Sequence, residues 1–282
     1  MILFFSVNIP MWRGWNSVTV EDKLPVQNIG YLRNITSSPT QLNVVNLTME
    51  RSEKIRQELD QKYMLICYDL AISKPSYRIQ EMESPKFDKL FIETGPFHIR
   101  CSKFAGIGYY LTGSGLDELL VTAEILGSGS LAGFLEGRHY NRDIRIHPLA
   151  YAVLTDLHME QFIEADYNGS LPETVSESLK DLGDEPSEEA VNTLLENKGS
   201  DLMEFISKYK AYCEKTRIGE HGLTPQYYMN YMDMIQNDLM FDRALRTNDT
   251  DLYTYCLGDM RAIFWASNRK FYKRWSTKMY LQ

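Results

Sequence analysis

Tyr63-Met64-Leu65-Ile66-Cys67-Tyr68-Asp69 is the stretch on which the fold turns. Six apolar or aromatic residues in a row, stopped by a carboxylate, are too few for a core helix and read as a buried strand. Working outward, residues 3–9 and 90–92 give two further apolar runs of strand type. Between the first two runs, Ser38-Pro39-Thr40-Gln41 signals a helix start. Ser38 can cap, Pro39 suits the first helical position, and Gln41 can close a capping box. Leu42, Val45, Met49, Ile55 and Leu59 then recur at helical spacing. A second helix is expected over residues 73–82, with Pro75 near its start. Strand, helix, strand, helix, strand is an α/β order that favours parallel pairing of the last two strands.

After Gly95 the strand pattern stops. Phe97, Cys101, Phe104, Ala105 and Leu111 form one helical stripe, and residues 116–125 another. Gly127-Ser128-Gly129-Ser130 breaks the chain, and residues 131–136 make a short helical turn. Residues 149–163 are amphipathic, and Pro148 is expected to open that helix. Thr224-Pro225 begins a long helix carrying Tyr228, Met232, Ile235 and Leu239 on one face, followed by a last helix over 251–267. This Tyr/Met stripe reads as core packing. The expected division is an α/β core over residues 1–112 and a helical part over 113–282.

The composition bounds the class. With 282 residues, 44% of them hydrophobic, and 18 Tyr, 12 Phe and 4 Trp, the chain can bury a sizeable core. Cys67, Cys101, Cys213 and Cys256 lack any Cys-x-x-Cys spacing, which argues against a zinc knuckle and a disulfide scaffold and for reduced, mostly buried thiols. The apolar residues 1–7 have no basic residue before them, so a first strand is expected rather than a signal peptide. No run approaches the roughly 18 apolar residues of a membrane span. An intracellular protein is expected, nuclear if eukaryotic, and both ends read as cut from something longer. The net charge of −8 is unevenly spread. Residues 160–204 hold thirteen acids against two lysines, and 166–201 reads as a solvated, flexible insertion with one or two short helices. Residues 261–282 hold six basic residues and no acid.

Five places invite chemistry. Asp69 ends a strand, where ligands of parallel sheets sit, and is placed either to hold Mg²⁺ or Mn²⁺ or to cap the next helix. His98, in Gly95-Pro96-Phe97-His98, follows the neighbouring strand and suits a phosphate, a metal or a cap. Glu124 precedes the Gly/Ser stretch, which lacks the Lys of a P-loop. Arg138, His139, Arg142, Arg145 and His147 form the densest basic cluster of the middle chain, suited to DNA phosphates or to salt bridges with the acidic insertion. Arg269, Lys273 and Arg274 interleave with Phe271, Tyr272 and Trp275, which fits nucleic-acid contact with stacking. An amphipathic helix with its aromatics in the core explains the same pattern. No Ser/His/Asp constellation or nucleophile elbow is present.

The order of these motifs carries a resemblance. It runs through Ile9-Pro10-Met11-Trp12-Arg13-Gly14-Trp15-Asn16, Ile29-Gly30-Tyr31-Leu32, Ser38-Pro39-Thr40, Asp69-Leu70-Ala71 and Gly95-Pro96-Phe97-His98. It continues through Glu124, Gly127–Ser130, Gly137–Arg142 with Arg145 and His147, Arg246-Thr247-Asn248-Asp249, and Asn268-Arg269 with Tyr272 and Arg274-Trp275. In this order the chain resembles a large family of transposon-like open reading frames related to DDE transposases. The resemblance implies a ribonuclease-H-like mixed sheet in the N-terminal third, followed by a large, mostly helical part. It implies two-metal phosphoryl transfer on DNA, with Asp69, His98 and Glu124 at the centre, Asp69 and Glu124 holding Mg²⁺ or Mn²⁺, and the two basic clusters on DNA. The pattern departs from the family at residue 8, where Asn8 stands in place of a first-strand acid. That departure raises a second reading, a catalytically inactive relative that holds DNA or protein as a scaffold, with homo-oligomers as further partners. A third reading is a metal-dependent phosphohydrolase of separate descent.

Overall fold

The computed structural model describes residues 29–184, 189, 192, 193, 196 and 200–281. The expected strand over residues 3–9, Asn8 included, lies outside them. The described residues fall into two compact units, one ending at Ser102 and the other beginning at Lys103.

The first unit is a single βαβ element preceded by a helix. Helix α1 (Leu42–Glu58) leads to strand β1 (Met64–Tyr68), helix α2 (Leu70–Met82), strand β2 (Leu90–Thr94) and the first turns of helix α3 (Pro96–Leu111). The strands pair in parallel, Met64 opposite Leu90 and Tyr68 opposite Thr94. A helical crossover is what joins parallel neighbours. Val45 and Met49 of α1 pack with Ile66, Phe87, Leu90 and Ile92, and Ile72, Tyr77 and Ile79 of α2 close the same cluster. The opposite face is open: Leu65 and Phe91, partners in register, are 64% and 46% exposed. The run is thus a one-sided strand rather than a fully buried one. Its outward residues are apolar too, and that hides the period-two alternation.

The ribonuclease-H-like mixed sheet is contradicted. Among the described residues there is one two-stranded parallel sheet, and the chain is mostly helical. The physical reason lies in the periodicity. Among the described residues short apolar runs supply two strands, residues 29–32 adopt no regular structure, and beyond Gly95 apolar residues recur every three or four positions, which winds helices. The expected helix start at Ser38 is also displaced. Gln41 precedes the first turn without a side-chain cap bond, and the Ser38 hydroxyl pairs with Thr40 instead.

The second unit continues α3 and adds α4 (Leu116–Thr122), α5 (Ser128–Leu135), α6 (Tyr140–Tyr167), α7 (Glu173–Asp184), α8 (Asp201–Arg217), α9 (Leu223–Thr247), α10 (Thr250–Ala266) and α11 (Lys270–Leu281). Helix α6 does not open at Pro148 but runs through it. The lost backbone bond is offset by the face carrying Ile146, His147, Ala150 and Ala152, all buried on either side of the proline. Met159, Phe162 and Ile163 of α6 meet Val175 of α7 and Leu202 and Phe205 of α8, each such side chain contributing roughly 1.5–3 kcal/mol by burial. A second cluster joins Leu120, Leu126, Phe134 and Ile146. Gly108 is required where α3 meets the end of α5, because a Cβ there would collide with the Leu135 backbone. Among the described residues no helix is long and apolar enough to cross a membrane. The four thiols are free, and only Cys256 is fully buried, so the expectation of mostly buried cysteines is corrected.

Asp69 supplies the N-cap of α2, its Oδ1 accepting from the Ile72 amide at 2.9 Å. Replacing a cap carboxylate by Ala costs about 1 kcal/mol, whereas Asn caps equally well. Urea unfolding of Asp69→Ala is therefore expected to show a loss of about 1 kcal/mol, with Asp69→Asn within a few tenths of the parent. Equal losses in both variants would mean that the charge, not the cap, matters at this position.

Candidate functional site

The parallel register brings two of the expected residues to one edge. Asp69 follows Tyr68 and the segment from Gly95 follows Thr94, so both leave the carboxyl end of the sheet, tied by the Gly95 amide donating to the Tyr68 carbonyl at 2.8 Å. His98 lies half-buried in the first turn of α3, its amide donating to Gly95 and its ring edge against Phe97. Glu124 belongs to the other unit. It forms the turn after α4 with a left-handed backbone, φ 57°, its amide donating to Val121. Among the described residues no three His, Cys, Asp or Glu side chains converge as metal ligands.

The basic residues mostly face outward. Arg138 pairs with Glu136, and both are exposed. His139 precedes α6 and abuts Gly133. Arg142 and Arg145 stand exposed on the first turns of α6, their side chains making no hydrogen bond or ion pair to another described residue. His147, from the same cluster, is buried. In α11 the aromatics Tyr272 and Trp275 turn inward, while Arg274 and Lys270 are exposed. Lys273 lies 4.2 Å over the ring of Trp265, which is 56% exposed. Arg269 has its Nε buried without a hydrogen-bond partner.

The most unusual chemistry is inside the second unit, around residues of which only His147 belonged to a motif. The Lys103 ammonium is buried, donating to Asn237 Oδ1 at 2.7 Å and lying 3.9 Å from Asp238. Asn237 passes the contact on, its Nδ2 donating to the Cys256 carbonyl at 3.3 Å. One turn of α6 away from Asp143, the His147 ring stacks between Phe104 and Phe134, and its Nδ1 is 3.0 Å from the Tyr231 hydroxyl. His147 Nε2 and both Asp143 oxygens are buried without a hydrogen-bond partner. Burial pushes the Asp143 carboxyl up to about 7, and the neighbouring Asp238 carboxylate adds to it. Burial pushes the His147 imidazole down to about 3; Lys103 acts in the same direction, and Asp238 opposes both. Folding therefore keeps the proton on the aspartate and off the histidine, the reverse of their order in water. A second, part-buried set joins His158 to Tyr209 and Thr216, and Thr216 to His221. The signals for the Lys103 site were a lysine inside an apolar stripe and an Asp/His pair four apart on an apolar face.

A family model described as Domain of unknown function (DUF8702) matches residues 11–282. The chain belongs to this family. No curated protein and no solved structure matches it. The family match spans both units, so the βαβ element and the helical unit belong to one domain type.

The two shifts have opposite consequences. The contribution of protonated Asp143 is full below about pH 4 and is lost as pH rises through about 7. That of neutral His147 is full above about pH 6.5 and is lost as pH falls through about 3. Between about pH 4 and 6.5 the folded and unfolded pairs each hold one proton, so the two slopes cancel. Asp143→Asn removes one of them. Its unfolding free energy is expected to fall by up to about 1.4 kcal/mol per pH unit below pH 6.5, while the parent changes much less. Parallel urea-unfolding profiles for the two proteins would contradict this assignment.

Proposed function

We propose that the chain is a nucleic-acid-binding scaffold that holds phosphates on the outer faces of its helical unit. The observation that carries the reading is a set of exposed guanidinium and ammonium groups without carboxylate partners among the described residues. Arg142 and Arg145 lie on α6, and Lys270 and Arg274 on α11 beside Lys273 and the open ring of Trp265. Cations left unbalanced on a protein of net charge −8 are available to an external anion, and a planar guanidinium matches a phosphate bidentately. Trp265 adds a surface on which a base can stack. Arg138, already paired with Glu136, and the part-buried Arg269 support this arrangement from its margins.

A scaffold fits these residues better than a nuclease. The Asp69 carboxylate is engaged as a helix cap, and Asp143 and His147, whose proton affinities are strongly displaced, are buried in the core. Fluorescence anisotropy with a random-sequence duplex at about 50 and about 200 mM salt tests the reading. Each phosphate contact contributes a slope of about 0.9 in log K against log salt, so Arg142→Ala/Arg145→Ala and Lys273→Ala/Arg274→Ala are each expected to reduce the slope by about 1.8. An absence of binding at low salt, or slopes unchanged in both variants, would overturn it.

A further inference from the structure

The second unit contains a cavity of about 680 Å³ between α3, α9 and α10, separate from the basic faces. Its size lies within the range of sites that enclose a small organic molecule, roughly 300–1,000 Å³. The walls are mainly apolar, formed by Tyr110, Met234, Met260 and Ile263, with Gly106 on the floor. Gly106 brings α3 and α10 together there, since a Cβ would sit 2.9 Å from Ile263 Cγ1.

The charges on the wall are not equivalent. Lys103 reaches the cavity with its ammonium already held by Asn237 and Asp238. Asp233 is gripped by Arg217 through two bonds of 2.8 and 2.7 Å. Asp259 differs from both. It accepts from Asn237 Nδ2 at 3.5 Å and from the Tyr255 hydroxyl, and no basic side chain pairs with it among the described residues. One carboxylate therefore stands at the solvent-exposed rim of an apolar pocket without an ionic partner among the described residues.

The geometry points to this cavity as a binding site for a small organic cation, with an apolar body against Met234, Met260 and Ile263 and its ammonium at Asp259. Apolar contact supplies the affinity and the single charge-assisted contact supplies the selectivity, which is how pockets of this kind divide the two tasks. The site is independent of the phosphate-binding faces and would stand if those bound nothing.

The test uses the full chain with 1-naphthylmethylamine, a protonated probe, and 1-naphthalenemethanol, its neutral counterpart, titrated by calorimetry near pH 7. The amine is expected to bind saturably and at least about tenfold more tightly than the alcohol, the difference one charge-assisted bond makes. Asp259→Asn is expected to bring the two probes within about twofold of each other, and Ala262→Trp, which fills the cavity, to abolish both. Asp251→Asn, on the same helix but away from the cavity, is expected to leave the preference intact. Circular dichroism confirms folding of each variant. If Asp259→Asn does not fold, the wild-type preference and its loss in Ala262→Trp decide the matter. No saturable binding by the parent, equal affinity for amine and alcohol, or an undiminished preference in folded Asp259→Asn would overturn the proposal.

Discussion

A buried ammonium must be compensated inside the protein, and Lys103 finds its compensation 134 positions along the chain, at Asn237 and beside Asp238. Removing both charges from water is costly, so their pairing constrains the helices that carry them. It fixes α3 against α9. From α9, Tyr231 reaches His147 of α6, and Asn237 reaches the Cys256 carbonyl of α10. Four helices are thus joined by buried polar contacts inside the unit. Such contacts contribute less to stability than to register, because sliding any helix by one turn would strand a charge.

The same helices carry a second, opposite use of charge on their outer faces. Along α6, Asp143 and His147 point into the core while Arg142 and Arg145 stand in solvent. Along α11, Tyr272 and Trp275 anchor the helix and Arg274 faces out. Inward groups are held close to neutrality by burial or by a partner, and outward ones keep their full charge. The division explains how a chain with net charge −8 presents basic faces, since its acids concentrate in residues 160–204.

Legibility in the sequence followed the range of the interaction. The apolar runs located β1 and β2 to within a residue or two, and the Tyr228, Met232, Ile235 and Leu239 stripe located α9, because strand and helix periodicity are local properties. The size of the sheet was not local: three apolar runs and the family resemblance suggested a larger layer, whereas the described residues pair two strands and the periodicity after Gly95 supplied helices. The reach of α6 through Pro148 depended on burial of both flanks, which no window of sequence displays. The Lys103 site was hidden for the same reason, its partners lying more than a hundred residues away. Asp69 was legible as a strand end, and the structure shows its cap bond to Ile72.

The central claim is that the Lys103 pairing organises the helical unit, and urea unfolding of two variants tests it most directly. Lys103→Met leaves Asp238 buried without its ammonium and is expected to cost about 3 kcal/mol or more. Lys103→Met/Asp238→Leu, which removes both charges, is expected to recover most of that loss. A Lys103→Met protein within about 1 kcal/mol of the parent, or a double variant no better than the single one, would contradict the account.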